Sequence, residues 1–165
     1  MIKKLVIVFS LLGLLSCQPD DKFMGVAAGA AGRYIVTAYI DAGDTLFSLQ
    51  PGSTGYKLGI NKIDIRNFTV ELTARDSDQL AMKITYWQNG IQSIFNKQVS
   101  VQLTNSVYQF SLSKNTTVTA YDGSVGRFSG FFYERTIGGE FRIPGSGASA
   151  TSTSNDIIIV AQPGR

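Results

Sequence analysis

Histidine is absent from this chain of 165 residues, and cysteine and tryptophan occur once each. The missing histidine removes the commonest general base, the His-based nucleophile triads and the usual zinc ligand. With a single cysteine the fold contains no internal disulfide, and its core must hold by itself. Charged residues make up only 16% of the chain, with 15 basic against 12 acidic side chains. No basic stripe marks a nucleic-acid footprint, so no nucleic-acid partner is expected. The only route to catalysis is a carboxylate pair drawn from Glu71, Glu134, Glu140 and the aspartates. Glu71 lies on the polar side of an alternating stretch and Glu134 stands beside Arg135, so solvation or salt-bridging accounts for both. Asp76-Ser77-Asp78 offers carboxylate oxygens of the kind that bind calcium, but an aspartate-rich turn needs no metal. The expectation is a non-enzyme with no catalytic residue, cofactor or metal site.

The lone cysteine closes the most ordered part of the sequence. Lys3 and Lys4 precede an apolar run from Leu5 to Leu15, broken only by Ser10 and Gly13, and Ser16-Cys17 end it. That is the layout of a secretory signal peptide. A helix of this length spans about 16 Å, against a hydrocarbon core of about 30 Å, so it is too short to cross a membrane. Cleavage in the small-residue stretch Ala27 to Ala31 would lie beyond Pro19-Asp20-Asp21-Lys22, an awkward distance past the apolar core. Leu14-Leu15-Ser16-Cys17 resembles the lipobox of bacterial lipoproteins, with Leu15 a less typical choice at its position. The resemblance implies that residues 1–16 are removed, that Cys17 is lipidated, and that it becomes the first mature residue. Several acyl chains at about 0.8 kcal/mol per buried methylene hold firmly where one holds weakly. Without Lys3 and Lys4 the net charge falls to about +1, so much of the basicity belongs to the leader. Gln18 after the cysteine resembles an outer-membrane address, and Asp20-Asp21 resembles an acidic surface-export signal. Residues 17–31, ending in alanine and glycine, read as the lipidated cysteine and a flexible tether.

From residue 32 to 165 the sequence reads as one all-β domain. Arg33 to Ile40 and Thr45 to Leu49 are strand-like around an Ala42-Gly43-Asp44 turn, and Gln50 to Gly55 reads as a loop. Phe68, Val70, Leu72 and Ala74 alternate with polar residues, the signature of a half-buried strand. Leu80, Met82, Ile84 and Tyr86 share a face before Asn89-Gly90, a pair suited to a two-residue turn with positive φ. That turn sets a register: Gln88 opposite Ile91, Tyr86 opposite Ser93, Ile84 opposite Phe95, Leu80 opposite Val99. It implies one long return strand over 91–103 and puts Trp87 diagonal to Ile94 on the opposite face. Asp122-Gly123 reads as a second hairpin signal after a short strand over 118–121. Phe128 to Tyr133 is the densest aromatic stretch, residues 144–154 form a low-complexity loop, and 156–161 is a closing strand.

About ten strands joined by short turns imply an antiparallel meander, either an up-and-down barrel or a two-sheet sandwich. Gly32-Arg33-Tyr34, the hairpin ladder and the late closing strand resemble the small lipocalin-like (calycin) lipoproteins over residues 32–161. The tryptophan expected beside the first glycine is missing, with Tyr34 near its place. In such a barrel Phe95, Phe110, Phe128 and Phe132 would face a cavity for a small apolar ligand. The alternative is a surface interaction protein, in which Trp87, Ile94 and the 144–154 loop offer a platform for a glycan or protein partner. Either way the expectation is an envelope-associated binding module, tied to the outer membrane through Cys17.

Overall fold

The structure is a computed structural model, and it describes residues 25–112, 121–126, 131–136, 141–145 and 157–164. A short helix, α1 (Val26–Ala30), precedes ten strands. These are β1 (Gly32–Asp41), β2 (Asp44–Gly52), β3 (Gly55–Asn61), β4 (Ile65–Ala74) and β5 (Gln79–Gln88). Then follow β6 (Ile91–Thr104), β7 (Val107–Leu112), β8 (Tyr121–Gly126), β9 (Phe131–Thr136) and β10 (Ile157–Pro163). The fold is all-β, and the strands form one antiparallel sheet. Pairing runs β1-β4-β5-β6-β7-β8-β9-β10, and β10 pairs in turn with β1, so eight strands make a continuous ring of pairings. The hairpin β2–β3 branches from β1.

The β5–β6 hairpin has the expected register. Asn89 and Gly90 both take positive φ, and Gln88 lies opposite Ile91, Tyr86 opposite Ser93, Ile84 opposite Phe95 and Leu80 opposite Val99. Phe68, Val70 and Leu72 on β4 and Leu80, Met82, Ile84 and Tyr86 on β5 are buried on one face. Val99 and Val101 of β6 and Ile157, Ile159 and Ala161 of β10 join them in one core cluster. Each fully buried aliphatic side chain contributes about 1.5–3 kcal/mol over its exposed state, which makes this face the main source of stability.

Register shifts interrupt four of the pairings, and those in β1 and β4 bear on the site. In β1, Thr37 is an extra residue between Val36, opposite Ala161, and Ala38, opposite Val160. Inward side chains therefore change from even (Tyr34, Val36) to odd (Tyr39, Asp41) positions. In β4, Asn67 has φ 51° and the register shifts between Arg66 and Thr69. Buried positions accordingly pass from Ile65 to Phe68. An extra unpaired residue bends a strand and increases its twist.

Several local expectations are corrected. Residues 50–55 are not a loop but the end of a hairpin, with β2 running to Gly52 and β3 starting at Gly55. Pro51 is tolerated because residues 49–52 pair with β3 alone, leaving an edge where a missing N–H breaks no ladder bond. Asp122-Gly123 is not a turn; it lies inside β8, with Gly123 opposite Phe110 and Glu134. The end of the expected tether is packed: Ala27 and Ala30 of α1 are fully buried. Gly25 is packed as well, since a Cβ there would overlap the Ser77 backbone. Residues 17–24, 113–120 and 146–156 lie outside the described residues, and so does most of the 144–154 loop.

The two ends of the ring are covered by chain. At one end the N–H of Ala27 donates to Ser77 O in the β4–β5 turn, and Tyr34 Oη donates to Ala30 O at 2.9 Å. At the other end Phe141 and Ile143 are buried, and Phe141 packs against Tyr39, Tyr86 and Phe95. Arg142, between them, pairs with Asp41.

Candidate functional site

A groove of about 1230 Å³ opens on the outer side of the sheet, between the ring and the β2–β3 hairpin. Its origin is a competition for one edge of β1. Residues 32–35 of β1 pair with β4, while residues 38–41 pair with β2. Beyond Ser48, β2 has no place left on β1 and pairs only with β3. The hairpin therefore stands off, and Tyr56 Oη donates to Gln162 Oε1 on β10. Leu49 and Leu58 line the hairpin side; Arg33, Ile35, Thr69, Thr85 and Trp87 line the sheet side.

The sheet wall is built from cross-strand rows. Arg66, Trp87 and Gln92 stand side by side on β4, β5 and β6. The next row is Ile35, Thr69, Thr85 and Ile94, followed by Arg33, Glu71, Lys83 and Asn96. Directly opposed side chains in a sheet have Cβ atoms about 4.5–5.5 Å apart, so each row is one contact surface. Trp87 is 39% exposed and Ile94 51%, and their diagonal placement matches the sequence expectation. Within the Trp87 row the aromatic ring is flanked on both sides by polar groups.

One end of the groove is shaped by residues 61–67. Asp64 and Asn67 take φ of 48° and 51°, a region Asp and Asn enter at lower cost than most residues. These turns send Ile65 into the core and leave Asp64, Arg66 and Asn67 exposed. Arg66 Nη2 lies 3.7 Å from Asp64 Oδ1, a loose exposed pair that contributes little to stability. Asn61 bridges the β4 edge with its side chain: Nδ2 donates to Ile65 O at 3.0 Å and Oδ1 accepts from Ile65 N at 2.8 Å. A smaller pocket of about 360 Å³ adjoins, bounded by Asp64, Arg66, Asn67, Trp87, Asn89 and Gly90.

The six residues singled out in the sequence belong to two alternative sites, and the described ones divide between two faces of the sheet. Trp87 lines the groove, and Ile94 lies on the same outer face. Phe95 and Phe110 belong to the other face: Phe110 is buried, and the Phe95 ring packs 5.2 Å from Phe141. Phe132 lies in β9, with its backbone opposite Val125 and Ala161, and Phe128 lies outside the described residues. Cys17 also lies outside them. Among the described residues no helix is long and apolar enough to cross a membrane.

The carboxylates of the described side chains are dispersed, and Glu140 lies outside the described residues. Glu71 is exposed between Arg33 and Lys83 in its row. At the β4–β5 turn Asp76 Oδ1 accepts from Ser77 N at 2.7 Å, and the backbone O of Asp78 accepts from Val101 N on β6. Among the described residues no three potential metal-ligating side chains cluster.

Sequence reasoning missed two features. The first is Asp41, whose side chain is 1% exposed and accepts from Arg142 Nη2 at 2.9 Å. Its second oxygen has no hydrogen-bond partner among the described residues. The second is β3, whose apolar Leu58 and Ile60 are exposed and carry no burial pattern. The step from Ile63 and Ile65 to Phe68 was a usable signal for the bulge at Asn67. Comparison with protein-family models, curated proteins and solved structures finds no match to this chain.

Proposed function

We propose that this protein is a lipid-anchored, non-catalytic binding module of the cell envelope that works through its outer face. Its ring of eight strands then acts as a small barrel filled by its own side chains, a rigid support rather than a container. The anchor is Cys17, on the strength of Leu14-Leu15-Ser16-Cys17. The address we propose is the outer membrane, cell-surface side, from Gln18 and Asp20-Asp21. One observation carries the binding assignment: the groove of about 1230 Å³ beneath the β2–β3 hairpin, with Trp87 exposed in its wall. Its size exceeds the 300–1,000 Å³ of typical small-molecule sites, which suits an extended ligand. The rival site, an apolar cavity beside Phe95, loses support because Phe141 packs against that ring.

Two measurements test the proposal. Cys17→Ser should move the protein from the membrane to the soluble fraction and abolish acyl-chain labelling; unchanged membrane retention would refute the anchor. A photo-crosslinking residue placed at Leu58, exposed on the groove's rim, should capture an envelope component in living cells. The same residue at Leu103, exposed on β6 outside the groove, should not. Equal or absent capture at the two positions would refute the groove as the working surface.

A further inference from the structure

We infer that the groove binds an oligosaccharide, with a sugar ring packing on Trp87 and its hydroxyls bonding to Asp64, Arg66, Asn67 and Gln92. The inference rests on the groove being the working surface and adds the class of ligand. The first argument is the composition of the wall. An exposed indole beside amides, a guanidinium and a carboxylate offers one apolar face and a ring of planar donors and acceptors. A pyranose presents the matching pair, an apolar C–H face and a rim of hydroxyls that both donate and accept.

The second argument counts against strand addition to β4 and against a lipid tail. A peptide joining by strand addition needs free backbone N–H and C=O groups along an edge. At Ile65 both groups are already bonded to the Asn61 side chain, which ends the β4 edge where it faces the hairpin. A lipid tail would have to cover Arg33, Asp64 and Arg66, which belong to the groove lining, and burying charge without full pairing is costly. The Asp64–Arg66 pair is loose at 3.7 Å, so both groups retain hydrogen-bonding capacity for a neutral polyol.

The third argument is rigidity. Trp87 and Gln92 sit on the β5–β6 hairpin, whose register is continuous from Gln79–Ser100 to Gln88–Ile91. A platform already fixed in position spares a flexible ligand part of its ordering cost.

The test uses the full-length chain in detergent against an array of neutral and acidic oligosaccharides, followed by titration of the best binder. Trp87 is the only tryptophan, so its emission reports occupancy of the groove directly. Saturable binding with a change in Trp87 emission is expected. Trp87→Ala should weaken binding about tenfold or more, as loss of a central aromatic contact does, and Gln92→Ala by a smaller factor. Gln92→Ala should keep the wild-type urea midpoint, and Trp87→Ala, which gives up cross-strand contacts of about 0.2–1 kcal/mol each, should remain folded at the temperature of the titration. The inference is overturned if no saccharide binds, or if Trp87→Ala binds as tightly as wild type. Crosslinking at Leu58 separates the two levels. Capture of a protein or lipid there, with no saccharide binding, overturns the ligand class and leaves the groove assignment standing; no capture overturns both.

Discussion

Replacing Arg142 with methionine should destabilise the fold at the Phe141–Ile143 end. Arg142 Nη2 donates to Asp41 Oδ1 at 2.9 Å, and the Asp41 side chain is 1% exposed. With Oδ2 already lacking a partner among the described residues, loss of the guanidinium leaves the carboxylate buried without its only observed hydrogen bond. Breaking a buried pair from one side costs about 3–5 kcal/mol. The Arg142 side chain is itself 33% exposed, so water can approach once it is gone, and the low end applies. Taking about 3 kcal/mol, the midpoint of thermal unfolding should fall by about 6–12 °C, at 2–4 °C per kcal/mol for a chain of this size. Urea denaturation followed by far-UV circular dichroism gives the free energy directly. The double variant Asp41→Asn, Arg142→Met removes the stranded charge and should recover at least half the loss. A loss below about 1 kcal/mol in the single variant, or a double variant no more stable than the single, would refute the argument that charge burial sets the cost.

Two further outcomes follow from backbone geometry. Gly25→Ala places a Cβ against the Ser77 backbone, which has no flexible end to move, so α1 should detach at a cost of about 1–3 kcal/mol. Faster amide exchange over residues 26–31, with little change in β5, would show it, and unchanged protection of α1 would count against the packing described. Asn67→Val forces a β-branched residue to hold φ 51° and should cost about 1–2 kcal/mol, whereas Asn67→Gly should keep the wild-type stability within error. Equal stability of the valine and glycine variants would show that the positive φ at this position relaxes freely.

The parts of the fold that were legible in the sequence are those where period and turn chemistry agree without interruption. Phe68 to Ala74 and Leu80 to Leu103 qualify, because Asn89-Gly90 sets a register in which the main apolar series keeps its phase and Trp87 and Ile94 fall on the other face. Lys97 is the exception inside that series, and its Nζ lies 5.8 Å from the Phe95 ring centroid. The illegible parts are those where two segments compete for one edge. Nothing in Gln50 to Gly55 announces that β4 will take the start of β1 and force the hairpin off the wall. Pro51 and two glycines read locally as a loop, and only the tertiary pairing shows that an unpaired edge accommodates them.

The same reasoning explains why the candidate site was half visible. Trp87 and Ile94 follow from register alone, so their shared outer face was foreseeable. Asp64, Arg66 and Asn67 depend on two positive-φ residues and a bulge, which hide in the sequence as a mere break between Ile65 and Phe68. Asp41 is hidden by the bulge at Thr37: strict alternation from Tyr34 and Val36 would point it outward with Ile35, and one extra residue turns it inward. The bulge in β4 shapes the end of the groove, and the bulge in β1 brings Asp41 to the residue that holds the far end shut. Both lie within a few residues of the point where β1 changes partner from β4 to β2. Departures from alternation thus coincide with the groove and with the end closure, and the regular ladder between them supplies the rigid wall on which Trp87 is displayed.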